Sequence, residues 1–168
     1  MRAPSAAVLA LLVLASGACR APEPKAELEL TDMETYWVID SALGTTEYIA
    51  PAVRFRLRNK GARPWGAIQA TATFRRKGEE GQTWGSDWRQ VTTSAKPLAP
   101  GQDTLVVLKS DGRYYSTGTP ESMFRHQLFK DAKVEVFLRI GASGWVKFAE
   151  ADVERRIGSR AVEAQPPS

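Results

Sequence analysis

The residues that decide the fold run from Ala52 to Arg76: AVRFRLRNKGARPWGAIQATATFRR. At its start Val53, Phe55 and Leu57 alternate with Arg54, Arg56 and Arg58. Successive side chains of a strand point to opposite faces, so one face here is apolar and the other cationic. Asn59, Lys60, Gly61 and Pro64 then supply turn chemistry, because Asn and Gly tolerate positive φ and Pro fixes it. A second alternation sets Ile68, Ala70, Ala72 and Phe74 against Gln69, Thr71 and Thr73. The stretch reads as a hairpin in an antiparallel domain with one solvated face. It carries no reaction chemistry.

On the amino-terminal side, residues 28–31 alternate and residues 35–40 (TYWVID) are β-branched and aromatic, as one strand or two. On the other side, Trp84 and Trp88 lead into the strand-like RQVTT, and residues 103–109 (DTLVVLK) are apolar on both faces at their centre, so both faces are expected to be covered. Residues 133–140 and 144–149 alternate again, and 152–157 are expected to pair at an edge. Between them Thr119-Pro120-Glu121 is a helix start, with Thr as the cap, Pro in the first turn and Glu at the positive end of the dipole. Seven or eight short strands at intervals of about ten residues predict a mostly β chain, an immunoglobulin-like antiparallel β-sandwich with one short helix inserted. That domain spans residues 27–157. Residues 158–168 lack periodicity, end in Gln-Pro-Pro-Ser, and are expected to be a disordered tail.

The first residues, MRAPSAAVLALLVLASGAC, place Arg2 before an apolar run and small residues after it, the pattern of a secretory signal peptide over residues 1–18. The run is too short to span a bilayer, which takes about 20 apolar residues. Cys19 is the only cysteine. Ser16-Gly17-Ala18-Cys19, with Leu14 upstream, resembles a bacterial lipobox, although Ser16 stands where family members often have Leu; the same small residues also suit ordinary signal peptidase. The lipobox resemblance implies cleavage before Cys19, a diacylglyceryl group on its sulfur, and a tether over residues 19–26. Arg20, in place of the Asp that favours inner-membrane retention, implies the outer membrane, facing the periplasm. Simple secretion would instead leave an exposed free thiol.

The composition bounds function further. The 23 Lys and Arg against 19 Asp and Glu leave a net charge of +4, and in an exported protein the anions within reach are lipid phosphates, lipopolysaccharide and cell-wall polymers; nucleic acid is not an expected partner. His126 is the only histidine, there is no G-x-S-x-G, and one His with one Cys makes none of the usual zinc sites. Asp103, Asp111 and Asp131 form no D-x-D-x-D run, and Glu79 and Glu80 are adjacent on a polar loop. No catalytic residue, metal or cofactor is expected.

Arg58-Asn59-Lys60-Gly61, the strand from Ile68 to Phe74, Lys77-Gly78, and Leu98-Ala99-Pro100-Gly101 before the next strand recur in this order in known domains. Their arrangement resembles the small immunoglobulin-like or fibronectin-like sandwiches of bacterial envelope proteins, of the FxLYD and late-embryogenesis-abundant types. The resemblance covers about residues 28–157, rests on turns, and includes no F-x-L-Y-D string. It implies a binding fold with no shared catalytic residues.

Two groups of residues are candidates for binding. Arg54, Arg56 and Arg58 lie about 6.6 Å apart on one strand face, either as a ladder for anionic groups or as a solvated face paired with acids. Trp84, Trp88, Tyr114 and Tyr115 are either core or exposed rings that would stack on sugars or anchor a protein; of Tyr114 and Tyr115, at most one is expected to face inward. The resulting expectation is a lipid-anchored cell-envelope protein that acts as a non-catalytic protein-binding or assembly module. The alternative is a binder of envelope glycans or anionic polymers.

Overall fold

A computed structural model describes residues 23–158 apart from 44, 45 and 117. Among these residues the chain forms eight strands: β1 (Leu28–Leu43), β2 (Thr46–Asn59), β3 (Ile68–Arg76), β4 (Gly85–Gln90), β5 (Asp103–Lys109), β6 (Tyr114–Ser116), β7 (Ala132–Ile140) and β8 (Val146–Asp152). A single turn, α1 (Pro24–Glu27), precedes β1, and a 3-10 helix (Pro120–Arg125) precedes β7. The signal and lipobox expectations fall outside the described residues, as does the expected tail apart from Gly158, whose N donates to Trp37 O at 2.7 Å. Within the expected tether, α1 is already fastened to the domain, because Lys60 N donates to Glu27 O at 2.8 Å.

The strands form two antiparallel sheets. The first has the order β1-β2-β5, with the short β6 added to β2; the second has the order β4-β3-β7-β8. β1, β2 and β5 in one sheet against β4, β3, β7 and β8 in the other is the distribution of an immunoglobulin-like sandwich, with β6 an addition to the first sheet. The alternation read from the sequence sets the burial. Val53, Phe55 and Leu57 of β2 face Ile68, Ala70, Ala72 and Phe74 of β3 and Val134, Val136 and Leu138 of β7 in one core, all fully or almost fully buried.

The stretch from Ala52 to Arg76 is not a hairpin. β2 lies in the first sheet and β3 in the second, so residues 60–67 cross between layers. Alternation specifies strands and faces but not which neighbour a strand pairs with. The crossing is held by Asn59, which is fully buried. Its Nδ2 donates to Arg63 O at 2.7 Å and Leu98 O at 2.9 Å, and its Oδ1 accepts from Gly61 N at 2.9 Å. Trp65 and Leu98 exchange backbone bonds at 3.0 and 2.8 Å, and Gly101, at φ +75, turns the chain into β5. The true hairpin is β1 to β2, paired from Leu28↔Asn59 to Leu43↔Thr46. Residues 28–43 are one strand with a bulge at Thr31/Glu34, where Asp32 takes φ 49.

One local expectation holds and one changes. At the centre of β5 Val106, Val107 and Leu108 are all buried, on both faces as expected, and only Leu105 on the outer face is 38% exposed. The inserted helix is of the tighter 3-10 type, and Thr119 makes no side-chain cap bond. The layers close where β4 and β5 meet. Asp87 Oδ2 accepts from Lys109 N at 2.9 Å, and Asp111 Oδ1 from Ser86 N at 2.7 Å. Gly85 is required there, because a Cβ would lie 2.5 Å from Gly112 N.

Candidate functional site

The inserted segment from β6 through the 3-10 helix is fastened by aromatic rings. Trp37, fully buried on β1, lies 5.1 Å from Phe129, 5.9 Å from Tyr114, 6.0 Å from Phe124 and 6.1 Å from Trp84 between ring centroids. Trp84 and Tyr114 are 4.9 Å apart. Such tilted and edge contacts match the quadrupoles of the rings. The Tyr114 hydroxyl accepts from Lys130 N at 3.2 Å. Arg155 donates from Nε and Nη2 to Asp131 at 2.7 and 2.8 Å and from Nη1 to Phe124 O at 3.3 Å. That guanidinium holds the Asp131 carboxyl below the usual carboxylate range.

Above this cluster lies an open groove of about 570 Å³, walled by Tyr114, Tyr115, Met123, Leu128, His126 and Arg76. Tyr115 is 69% and Leu128 71% exposed. Arg76 gives Nη2 to Glu79 at 2.6 Å, while its Nε is sealed from water with no hydrogen-bond partner among the described residues. His126 is exposed and its Nδ1 accepts from Leu128 N at 3.2 Å. Among the described residues no carboxylate lines the groove. The groove lies beside β6, which pairs with Glu47–Ile49, whereas the chain enters the domain beside Asn59 and Lys60, at the other end of β2.

The structure distributes the sequence candidates over separate surfaces. Arg54, Arg56 and Arg58 do share the outer face of the first sheet, but acids surround them. Arg54 pairs with Glu34 at 2.6 Å; Arg56 pairs with Asp103 at 2.5 Å and Asp32 at 3.8 Å. Arg58 stands in register between Glu29 and Asp103 and makes no ion pair among the described residues. Trp84 and Tyr114 are half-buried in the ring cluster, and Tyr115, next in sequence, points out at the groove. Trp88 is 52% exposed on the opposite sheet. Cys19 lies outside the described residues. Leu128, Met123 and Arg76 were missed, because a groove wall assembled from a strand end, a 3-10 helix and the loop after it leaves no spacing in the sequence.

Among the described residues no three His, Cys, Asp or Glu side chains come together as a metal site, and no helix is long and apolar enough to cross a membrane. No family model and no curated protein sequence matches the chain. Solved structures similar to it include the "Putative ApaA Protein" from Bordetella pertussis, at 15% identity and TM-score 0.41, over 76% of this chain and 92% of that one. A protein from Archaeoglobus fulgidus is 14% identical with TM-score 0.40, over 74% of this chain and 95% of that one. Likenesses this distant carry no functional argument. The fold and the site define a class: a two-sheet antiparallel β-sandwich with a groove, lined by Tyr114, Tyr115, Met123 and Leu128, built on an insertion between its fifth and seventh strands.

Proposed function

We propose that this protein is a lipid-anchored, non-catalytic binding module of the cell envelope, and that its groove receives a segment of a protein partner. The observation that carries the reading is the pair of exposed apolar side chains, Tyr115 and Leu128, flanking a groove lined also by Met123 and by Tyr114 of the ring cluster. Exposed anchors beside a preformed apolar lining are what protein hot spots use. Charge defines the segment. Arg76 is already paired with Glu79, but exposed Arg125, next to His126 of the groove wall, has no ion pair among the described residues, so the segment presents an apolar side chain next to an acidic one. Tethering through Cys19 at the end of the domain where α1 enters turns the groove away from the membrane. The 16 residues of β1 separate the two ends by up to about 50 Å. Anionic-polymer binding by the arginine row is disfavoured, since Arg54 and Arg56 already hold carboxylates.

Site-specific photocrosslinking in intact cells tests this, using full-length protein with the crosslinker at Leu128 and, as control, at Asp103. A single near-stoichiometric adduct from Leu128, absent from Asp103 and abolished by Tyr115→Asp, is the expected result. Equal labelling from both positions, or none from Leu128, would overturn it. Mass spectra of the same preparation report the acylation of Cys19.

A further inference from the structure

We propose that the outer face of the second sheet is a second binding surface, a platform on which a β-linked glycan chain stacks. It is independent of the groove. Strand register places Trp88 of β4, Thr71 of β3, Phe137 of β7 and Lys147 of β8 side by side in one row across the sheet. The adjacent row is Gln90, Gln69 and Arg139, whose guanidinium lies 4.8 Å over the ring of Trp145. Trp88 is 52% and Trp145 39% exposed, and half-buried Phe137 is no part of the core. Single exposed aromatics are ordinary on a protein surface. Three on one sheet face, interleaved with amide and guanidinium groups, are not.

The polar groups between the rings are held in place. Gln69 Nε2 donates to Gln90 Oε1 at 3.1 Å, and Arg139 Nε donates to Gln69 Oε1 at 2.8 Å. Arg139 is thus laid flat across the face by a neutral partner. The charged groups on this face neutralise each other. Glu135 accepts from Arg75 at 3.2 Å and Lys147 at 2.6 Å, and Glu150 pairs with both Lys133 and Lys147. Among the described residues a strongly charged ligand therefore finds no counter-charge on this face outside an ion pair beyond Arg139. What remains is flat ring faces beside fixed donors and acceptors, which suits a ligand with an apolar face and a hydroxyl rim. A β-linked pyranose has both: its axial C–H groups carry the partial positive charge that an aromatic face attracts, and its equatorial hydroxyls bond at the edges. Trp88 and Phe137 are two strands apart, about 9.6 Å, so successive parts of one chain lying across the strands reach both.

Intrinsic tryptophan fluorescence of the full-length protein in detergent, titrated with cellotetraose and with the N-acetylglucosamine tetramer to about 10 mM, tests the platform. We expect a saturable change with at least one tetramer. Trp88→Ala should weaken it about tenfold, the scale of one lost ring contact, and Trp88→Phe should restore most of it. Leu128→Asp should leave it unchanged. No response to either tetramer, or a response indifferent to Trp88→Ala, would overturn the proposal. So would a cellular crosslink from position 88 to a protein without any response to sugar.

Discussion

At the scale of single residues, Asn59 is the side chain on which the crossing between sheets depends. It is buried, and both ends of its amide are engaged, with two carbonyls and one N–H. Asn59→Ala strands these groups where water does not replace the lost partner, and is expected to cost about 2–3 kcal/mol. Asn59→Asp is expected to be worse, because an ionised carboxylate has nothing to donate to the carbonyls of Arg63 and Leu98. Urea denaturation checks both, as a lower midpoint at unchanged slope. The sequence marked Asn59 as a turn residue, and a turn Asn is usually solvated. Its burial arises only because the loop carrying Leu98 folds over it. Trp84 and Trp88 make the same point: four residues apart in one sequence cluster, one packs at 4.9 Å from Tyr114 and the other is half in water.

At the scale of elements, pairing partners were less legible than strands. The longer strands were readable because period-two alternation reflects a buried face. The three-residue β6 was not, and residues 152–157, expected at an edge, make only an isolated bridge from Ile157 to Trp37 beyond the end of β8. The sheet to which each strand belongs was not readable, because residues 60–67 are long enough to cross between layers and also long enough to turn within one. The β7–β8 pair shows how surface charge is arranged once pairing is known. Lys133, with Lys147 beside it, lowers Glu150 from its ordinary 4.5 to about 2, and Lys147 with Arg75 lowers Glu135. A carboxylate depressed in the folded state stabilises the fold fully above its unfolded pKa and loses that contribution as pH falls towards the folded value. The urea midpoint is therefore expected to fall between about pH 4.5 and pH 2. Glu150→Gln should flatten that fall, and added salt should shrink the difference, since these groups are exposed. A slope unaffected by Glu150→Gln would show that the pair does not persist in solution.

At the scale of the whole molecule, anchoring and folding are expected to be separate properties. Among the described residues the buried core runs from Leu28 to Val153, a unit closed by its own two sheets. Cys19→Ser is thus expected to move the protein from the membrane to the soluble fraction while leaving its melting temperature unchanged; a lowered melting temperature would mean that the anchor region packs on the domain. By itself the sequence determined the compartment expectation, the β class, the faces of each strand and the position of the inserted helix. These are local or periodic properties, written in neighbouring residues. Only the tertiary structure decided that β2 and β3 lie in different sheets, that the arginine row is matched by acids from β1 and β5, and that Tyr115, Leu128 and Arg76 meet at one groove. The physical reason is that strand pairing and groove walls join residues tens of positions apart through backbone hydrogen bonds, which carry no side-chain signature.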